Sequence, residues 1–293
     1  MKNNGFYVNL KKDDLETKII NYFTYLRKTD CTIPHKLHFS KEFLAQNEHR
    51  EIYKNAISII IRIIENGGCI TPYLSKNVKK LRKDNQDYLF NNWGVMHLHL
   101  GNESCSEKNN FIQRTGHLLF MRLIENDAYF IKIYKHPSEK ESDKEWSKLE
   151  IIQIMENNWP HTIGKLKGVP GLGYKYSDKE RYDDLWKKGS DTVLEIISIS
   201  GEPVIAVPPG GGSVASGEAA KDVLLYLQQT DHLKKIEKDI LKNIEKIKIV
   251  IKKNGFNLEK GICFQLIKRD NKWSVIEKNS NMSYHIFMCN SKN

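Results

Sequence analysis
Ten histidines occur in 293 residues, and four of them (His97, His99, His117 and His136) fall within forty residues, where even scattering would put one or two. Imidazole is the side chain best matched to moving protons near neutral pH. Trp93 to Leu100 alternates, so Val95, His97 and His99 project from one face of a strand, and Met96, Leu98 and Leu100 from the other. His136 closes another alternating run, on the face of Lys132 and Tyr134; Ile131 and Ile133 are expected opposite, in the core. Arg114, one of only eight arginines, stands just before the preceding run. Paired in one sheet, these strands bring imidazoles, a guanidinium, an ammonium and a phenol to one surface. That set suits phosphodiester cleavage in RNA without a metal. A neutral imidazole takes the 2′-hydroxyl proton, a protonated group returns one to the leaving oxygen, and cations stabilise the charge building on the phosphate. The candidate catalytic residues are therefore His97, His99, Arg114 and His136, with Lys132 and Tyr134 as substrate contacts and His117 given no chemical role. The same residue types are also good packing residues on half-buried strands, so pairing and exposure decide between the two uses.

Other features compete for attention. His-x-His with a distant third histidine is also a zinc pattern. Its nearest carboxylates, Glu103 and Asp127, fall in expected turns, and neither His-Glu-x-x-His nor clustered Asp-x-Asp occurs. No metal and no cofactor are therefore expected. Pro208-Pro209-Gly210-Gly211-Gly212 leads towards a helix, an arrangement in which backbone amides cradle phosphate. No Lys-Ser or Lys-Thr follows it, so it is not a nucleotide-binding P-loop, and such a run also makes a plain flexible connection. The net charge of +10 favours a polyanionic partner through counterion release. Lysine, isoleucine and asparagine are also what an AT-rich coding sequence produces, whatever the function. The cluster Lys76, Lys79, Lys80, Arg82 and Lys83 reads as a solvated helix face. Five scattered cysteines (Cys31, Cys69, Cys105, Cys263 and Cys289) form no Cys-x-x-Cys pair and read as reduced thiols. The most apolar run, Ala56 to Ile64, is interrupted by Arg62 and is too short to span a bilayer, and no apolar signal core follows Met1. The expectation is a cytoplasmic protein without membrane association.

The elements that must position the histidines follow from periodicity. A helix carries Leu15, Ile19, Ile20, Phe23 and Leu26, and a second runs from Lys41 to Glu65, stopped by Gly67-Gly68. After the strand at 93–100 comes a polar loop, Gly101 to Asn110. Strands His117 to Ile124 and Ala128 to His136 then form a hairpin around Glu125-Asn126-Asp127. A helix capped by Ser142 or Asp143, with Trp146, Leu149, Ile152 and Met155 on one stripe, ends at Asn158-Trp159-Pro160. Strands are expected over Asp191 to Ser200 and Pro203 to Val207. A long helix, with or without one break, runs from Gly217 to Lys253, a second hairpin from Gly261 to Lys278, and an edge strand from Ser283 to Cys289. The fold class is α+β: a helical N-terminal region (1–90), a central antiparallel sheet with a covering helix (91–163), a linker or loop (164–190) and a C-terminal α/β region (191–293).

The block Arg114-Thr115-Gly116-His117-Leu118-Leu119-Phe120-Met121-Arg122-Leu123, with Ala128-Tyr129-Phe130-Ile131-Lys132-Ile133-Tyr134-Lys135-His136, resembles the central hairpin of RelE-type (BECR-fold) ribonuclease toxins. There an arginine leads into the sheet, and a basic residue or histidine ends a later strand. The resemblance covers residues 93–160 and implies metal-independent RNA cleavage and a role in growth arrest or phage defence. The long flanks and His97-Leu98-His99 depart from that pattern. The expected function is thus an endoribonuclease of toxin or antiviral-defence type, with RNA as substrate and a protein inhibitor as a further partner. Self-association through the 217–253 helix is a lesser expectation. The alternatives are a non-catalytic nucleic-acid-binding or interaction protein, and a metal-dependent hydrolase using the same histidines.

Overall fold
The computed structural model describes residues 15–80, 86–102, 104–106, 109–136, 148–166, 193–255, 257, 261–269, 272–278 and 282–285. The fold is α+β and divides into two units, Met1–Tyr226 and Leu227–Asn293. The first unit opens with α1 (Leu15–Thr29), β1 (Lys36–Phe39), α2 (Lys41–Ala45), α3 (Asn47–Ile52), α4 (Lys54–Glu65) and α5 (Tyr88–Trp93). It continues through β2 (Val95–His99), β3 (Ser104–Ser106), β4 (Asn109–Ile112), β5 (His117–Ile124), β6 (Asp127–Lys135) and α6 (Lys148–Asn158). Then come β7 (Gly164–Leu166), β8 (Leu194–Ile197), β9 (Pro203–Val207) and the start of α7 (Ala220–Lys242).

The expected three strands pair antiparallel, and a fourth joins them, giving the order β1-β6-β5-β2. The addition, β1, runs parallel to β6, from Lys36 opposite Asp127 to Phe39 opposite Phe130. The central sheet is therefore mixed, not purely antiparallel. Both of its faces are buried. One packs against α5, α6 and the sheet β7-β9-β8 through Val95, Phe120, Ile131, Ile152, Met155, Leu194 and Ala206. The other packs against α2 and α4 through Met96, Leu98, Leu119, Phe130, Phe43, Ile57, Ile60 and Ile64.

A bulge explains one departure from simple alternation. Phe120 pairs with Lys132 and Met121 with Phe130, so Ile131 is the extra residue. Ile131 therefore shares the face of Tyr129 and Tyr134, and of this pair only Ile133 lies on the opposite side. The backbone groups that the bulge and the short β1 leave without ladder partners are taken by side chains. The Ser40 hydroxyl donates to the Ile131 carbonyl and also caps α2 by accepting from the Phe43 amide. The Gln46 amide donates to Ile133 O at 2.7 Å and accepts from Ile133 N at 2.8 Å. This is also why the helix expected over Lys41 to Glu65 is three helices. Gln46 leaves helical geometry (φ −84°, ψ 56°) to reach β6, and Tyr53 interrupts again.

Other expectations shift similarly. The loop after Leu100 contains the β3–β4 hairpin. The turn between β5 and β6 is Glu125-Asn126, with Glu125 at φ 51°, and Asp127 already belongs to the strand. On α1 the buried residues are Lys18, Ile20 and Asn21, while Leu15 and Leu26 are exposed, because the inward face meets polar partners such as Gln86. Gly164 to Leu166 pairs with β9 instead of acting as linker, and the remainder of that segment lies outside the described residues, as do Ser142, Asp143 and Trp146. Lys76–Lys79 is a single 3₁₀ turn, and Arg82 and Lys83 also lie outside.

The second unit holds the rest of α7, then α8 (Ile244–Lys253) after a break at Asn243. An antiparallel meander follows, of β10 (Phe264–Arg269), β11 (Lys272–Glu277) and β12 (Met282–His285). Among the described residues no helix is long and apolar enough to cross a membrane.

Candidate functional site
The strand β2 is an edge strand, and its register sets the neighbours of each histidine. His97 lies opposite Phe120, which lies opposite Lys132; His99 lies opposite Leu118, which lies opposite Tyr134. The His136 amide extends the ladder beyond β6 by donating to Gly116 O at 2.7 Å. The result is a parallel stack of the His99 and His136 rings, with centroids 5.9 Å apart and planes 19° from parallel. His97 packs at 5.9 Å from the Phe120 ring, on the same face. Arg114 is exposed in the segment before β5, close enough for its charge to act on His99. The other three residues singled out from the sequence thus lie within electrostatic reach of His99.

Their surroundings hold the two strand histidines neutral. His99 is only 3 % exposed and its Nδ1 is buried without a hydrogen-bond partner. Burial, reinforced by His97, His136 and the Arg114 charge, pushes its pKa down to about 4. Burial also lowers His97, against the pull of Asp87, with Lys28 and His136 adding to the downward push. Asp87 was not foreseen. It caps α5 by accepting from the Phe90 amide at 3.2 Å and forms an ion pair with Lys28 of α1. Burial alone would raise its pKa, but Lys28, His97 and these hydrogen bonds outweigh that and bring it to about 2. The Asp-Tyr-Leu-Phe start of α5 carries a cap signal in the sequence. Nothing local announces that α1 and α5 converge on His97.

Lys132 and Tyr134 lie on the expected face but are engaged in the scaffold. The Lys132 ammonium pairs with Glu150 of α6 at 2.9 Å and sits 4.9 Å from the Tyr134 ring centroid. Tyr134 is 4 % exposed and packs edge-on against Phe120. Both are thus held by contacts within the fold. His117 lies on the opposite face, where its Nδ1 meets the Tyr53 hydroxyl at 2.9 Å and its ring packs against His49. Of the carboxylates considered for a metal, Asp127 is bound to His38 at 2.6 Å at the far end of β6, and Glu103 lies outside the described residues. Among the described residues no three His, Cys, Asp or Glu side chains converge in a way that could hold a metal ion. Compared with protein-family models, with curated proteins and with solved structures, the chain matches none.

Proposed function
We propose that the chain is a metal-independent endoribonuclease of toxin or defence type, working on RNA in the cytoplasm. The observation that carries this reading is the His99–His136 stack, with His99 neutral and Arg114 at its border. A neutral His99 is a proton acceptor for a ribose 2′-hydroxyl, and because Nδ1 is buried, Nε2 is the nitrogen left to meet it. His136, half-buried beside it, in its protonated form returns the proton to the leaving oxygen. Arg114 supplies an exposed guanidinium to the phosphate as negative charge builds. His97, in the field of the Asp87–Lys28 pair, is a second basic imidazole one strand step away.

The test is cleavage of labelled RNA by the purified chain with and without EDTA. Cleavage that persists in EDTA supports the reading. Cleavage lost in EDTA assigns a metal-dependent hydrolase, and binding without cleavage assigns a nucleic-acid-binding protein. Arg114→Ala should lower turnover by about a hundredfold, more than it weakens substrate affinity, as expected for an electrostatic contact made in the transition state.

A further inference from the structure
A cavity of about 470 Å³ opens between α2, α6 and β8, and none of the candidate catalytic residues lines it. Small-molecule sites span roughly 300–1,000 Å³, so the space suits a compact ligand. Its apolar walls are Leu149 and Ile154 of α6 and Ile196 and Ile197 of β8. Ile154 and Ile196 are buried, whereas Ile197 is 50 % exposed and stands on the solvent side. Gln153 is engaged within the wall itself. Its amide donates to Ile197 O at 2.7 Å and accepts from Ile197 N at 2.9 Å, which closes the edge of β8, and it also donates to Asn157 Oδ1 at 2.9 Å.

The charged lining is all of one sign. Glu42 of α2, Glu150 of α6 and Glu195 of β8 face the cavity from three different elements, each half-buried. No Lys or Arg is among the described lining residues, although the chain carries 46 Lys and Arg against 36 Asp and Glu. Glu150 meets Lys132 of the central sheet at 2.9 Å. Glu42 differs: its Oε2 accepts from the neutral Asn158 amide at 2.8 Å, and among the described residues no cation pairs with it. A carboxylate set against apolar walls is poorly compensated by one neutral donor, and a cation entering the cavity corrects this. The walls also restrict the kind of cation. Magnesium and calcium require several oxygen ligands and retain water, whereas leucine and isoleucine offer neither. Methylenes bury well against the same side chains.

We infer that the cavity between α2, α6 and β8 is a binding site for a small aliphatic diamine. One ammonium meets Glu42 on the α2 side, the other meets Glu195 on the β8 side, and the methylenes between them lie on Leu149, Ile154 and Ile196. Carboxylates on separate elements favour a charge at each end of the ligand over a single one. Such amines are protonated at neutral pH, as the lysine ammonium is, with an ordinary pKa of about 10.4. The inference is independent of RNA cleavage, because no residue assigned to that chemistry takes part.

The experiment is a titration of the full chain with cadaverine at constant ionic strength and neutral pH, read by calorimetry and by thermal shift. Pentylamine and pentanol, which share its five-carbon chain, are the controls. Saturable cadaverine binding with a raised Tm is expected. Pentylamine should bind about tenfold more weakly, as for the loss of one charge-assisted contact, and pentanol should not compete. Glu42→Gln keeps the size of the side chain and an acceptor for Asn158 but loses the charge, and should weaken cadaverine about tenfold. Glu195→Gln should act comparably and carries the same prediction if the first variant fails to fold. Absence of saturable binding, or affinity unchanged in both variants, overturns the site. Pentanol binding as tightly as cadaverine shows an apolar cavity without cation recognition, and pentylamine binding as tightly shows one ammonium only; either result overturns the diamine. None of these outcomes alters the reading of the RNA cleavage assay.

Discussion
At the level of single residues, a buried imidazole whose pKa lies near 4, where the ordinary value is 6.5, ties stability to pH with a definite sign. Above about pH 6.5 both folded and unfolded chains hold His99 neutral, and its burial brings no penalty. As pH falls from 6.5 towards 4 the unfolded chain takes up a proton that the folded chain refuses, so stability is lost across that window. The loss from this residue is at most about 3 kcal/mol, at about 1.4 kcal/mol per pKa unit. His97, lowered in the same direction, adds to it. Urea midpoints for wild type and His99→Gln at pH 7 and pH 4.5 should show a smaller drop in the variant; equal drops would mean that His99 titrates normally. The same value bears on activity. With His99 as base, kcat/KM for RNA should hold down to about pH 4, because kcat/KM reports the free enzyme. An acid limb near the ordinary imidazole range would move the base elsewhere. His136→Ala and His99→Ala should each cost on the order of a hundredfold in turnover, while His117→Ala, on the opposite face with Tyr53, should leave turnover near wild type.

At the level of elements, the sheet depends on side chains that finish the outer edge of β6 after β1 stops at Phe39. Ser40 and Gln46 together satisfy Ile131 O and both backbone groups of Ile133. Gln46→Leu leaves a buried donor and acceptor unpaired and should cost about 2–4 kcal/mol by urea unfolding, whereas a loop residue of no structural role would cost almost nothing. Ser40→Ala removes a helix cap as well as the bulge contact and should cost about 1–3 kcal/mol. Here the limits of sequence reading are visible in particular residues. The pairing of β2, β5 and β6 was legible because alternation over five to nine residues fixes which side chains share a face. β1 escaped because Lys-Leu-His-Phe is four residues long and its partner lies 91 positions away. The bulge at Ile131 escaped because the groups that complete its hydrogen bonding, a Ser40 hydroxyl and a glutamine amide, come from another part of the chain. The three histidines and Arg114 were singled out from type and spacing. Asp87 and Lys28 were not, since only the tertiary packing of α1 and α5 brings them there.

Over the whole molecule, the net charge of +10 is a poor guide to a binding surface until the paired cations are set aside. Lys132 pairs with Glu150, Lys165 with buried Glu156, Lys28 with Asp87 and Arg27 with Asp222, so these charges are largely spent within the fold. Arg114, exposed beside the histidines, is not among these pairs. Counterion release counts only the cations that meet phosphates, so affinity for an RNA that meets the chain at Arg114 should show a modest salt dependence. A slope of about −0.7 in log affinity against log salt is expected for single strands for each phosphate neutralised. Engagement of the chain's whole positive excess would give several times that. Removing Arg114 should flatten the slope by about 0.7, whereas reversing Lys76 and Lys79, which lie on a separate 3₁₀ turn, should leave it unchanged. The measurement is equilibrium binding of a 2′-O-methyl oligoribonucleotide across a salt series, which separates binding from cleavage. A steep slope that survives Arg114→Ala and falls on reversing Lys76 and Lys79 would move the nucleic-acid surface away from the histidines altogether.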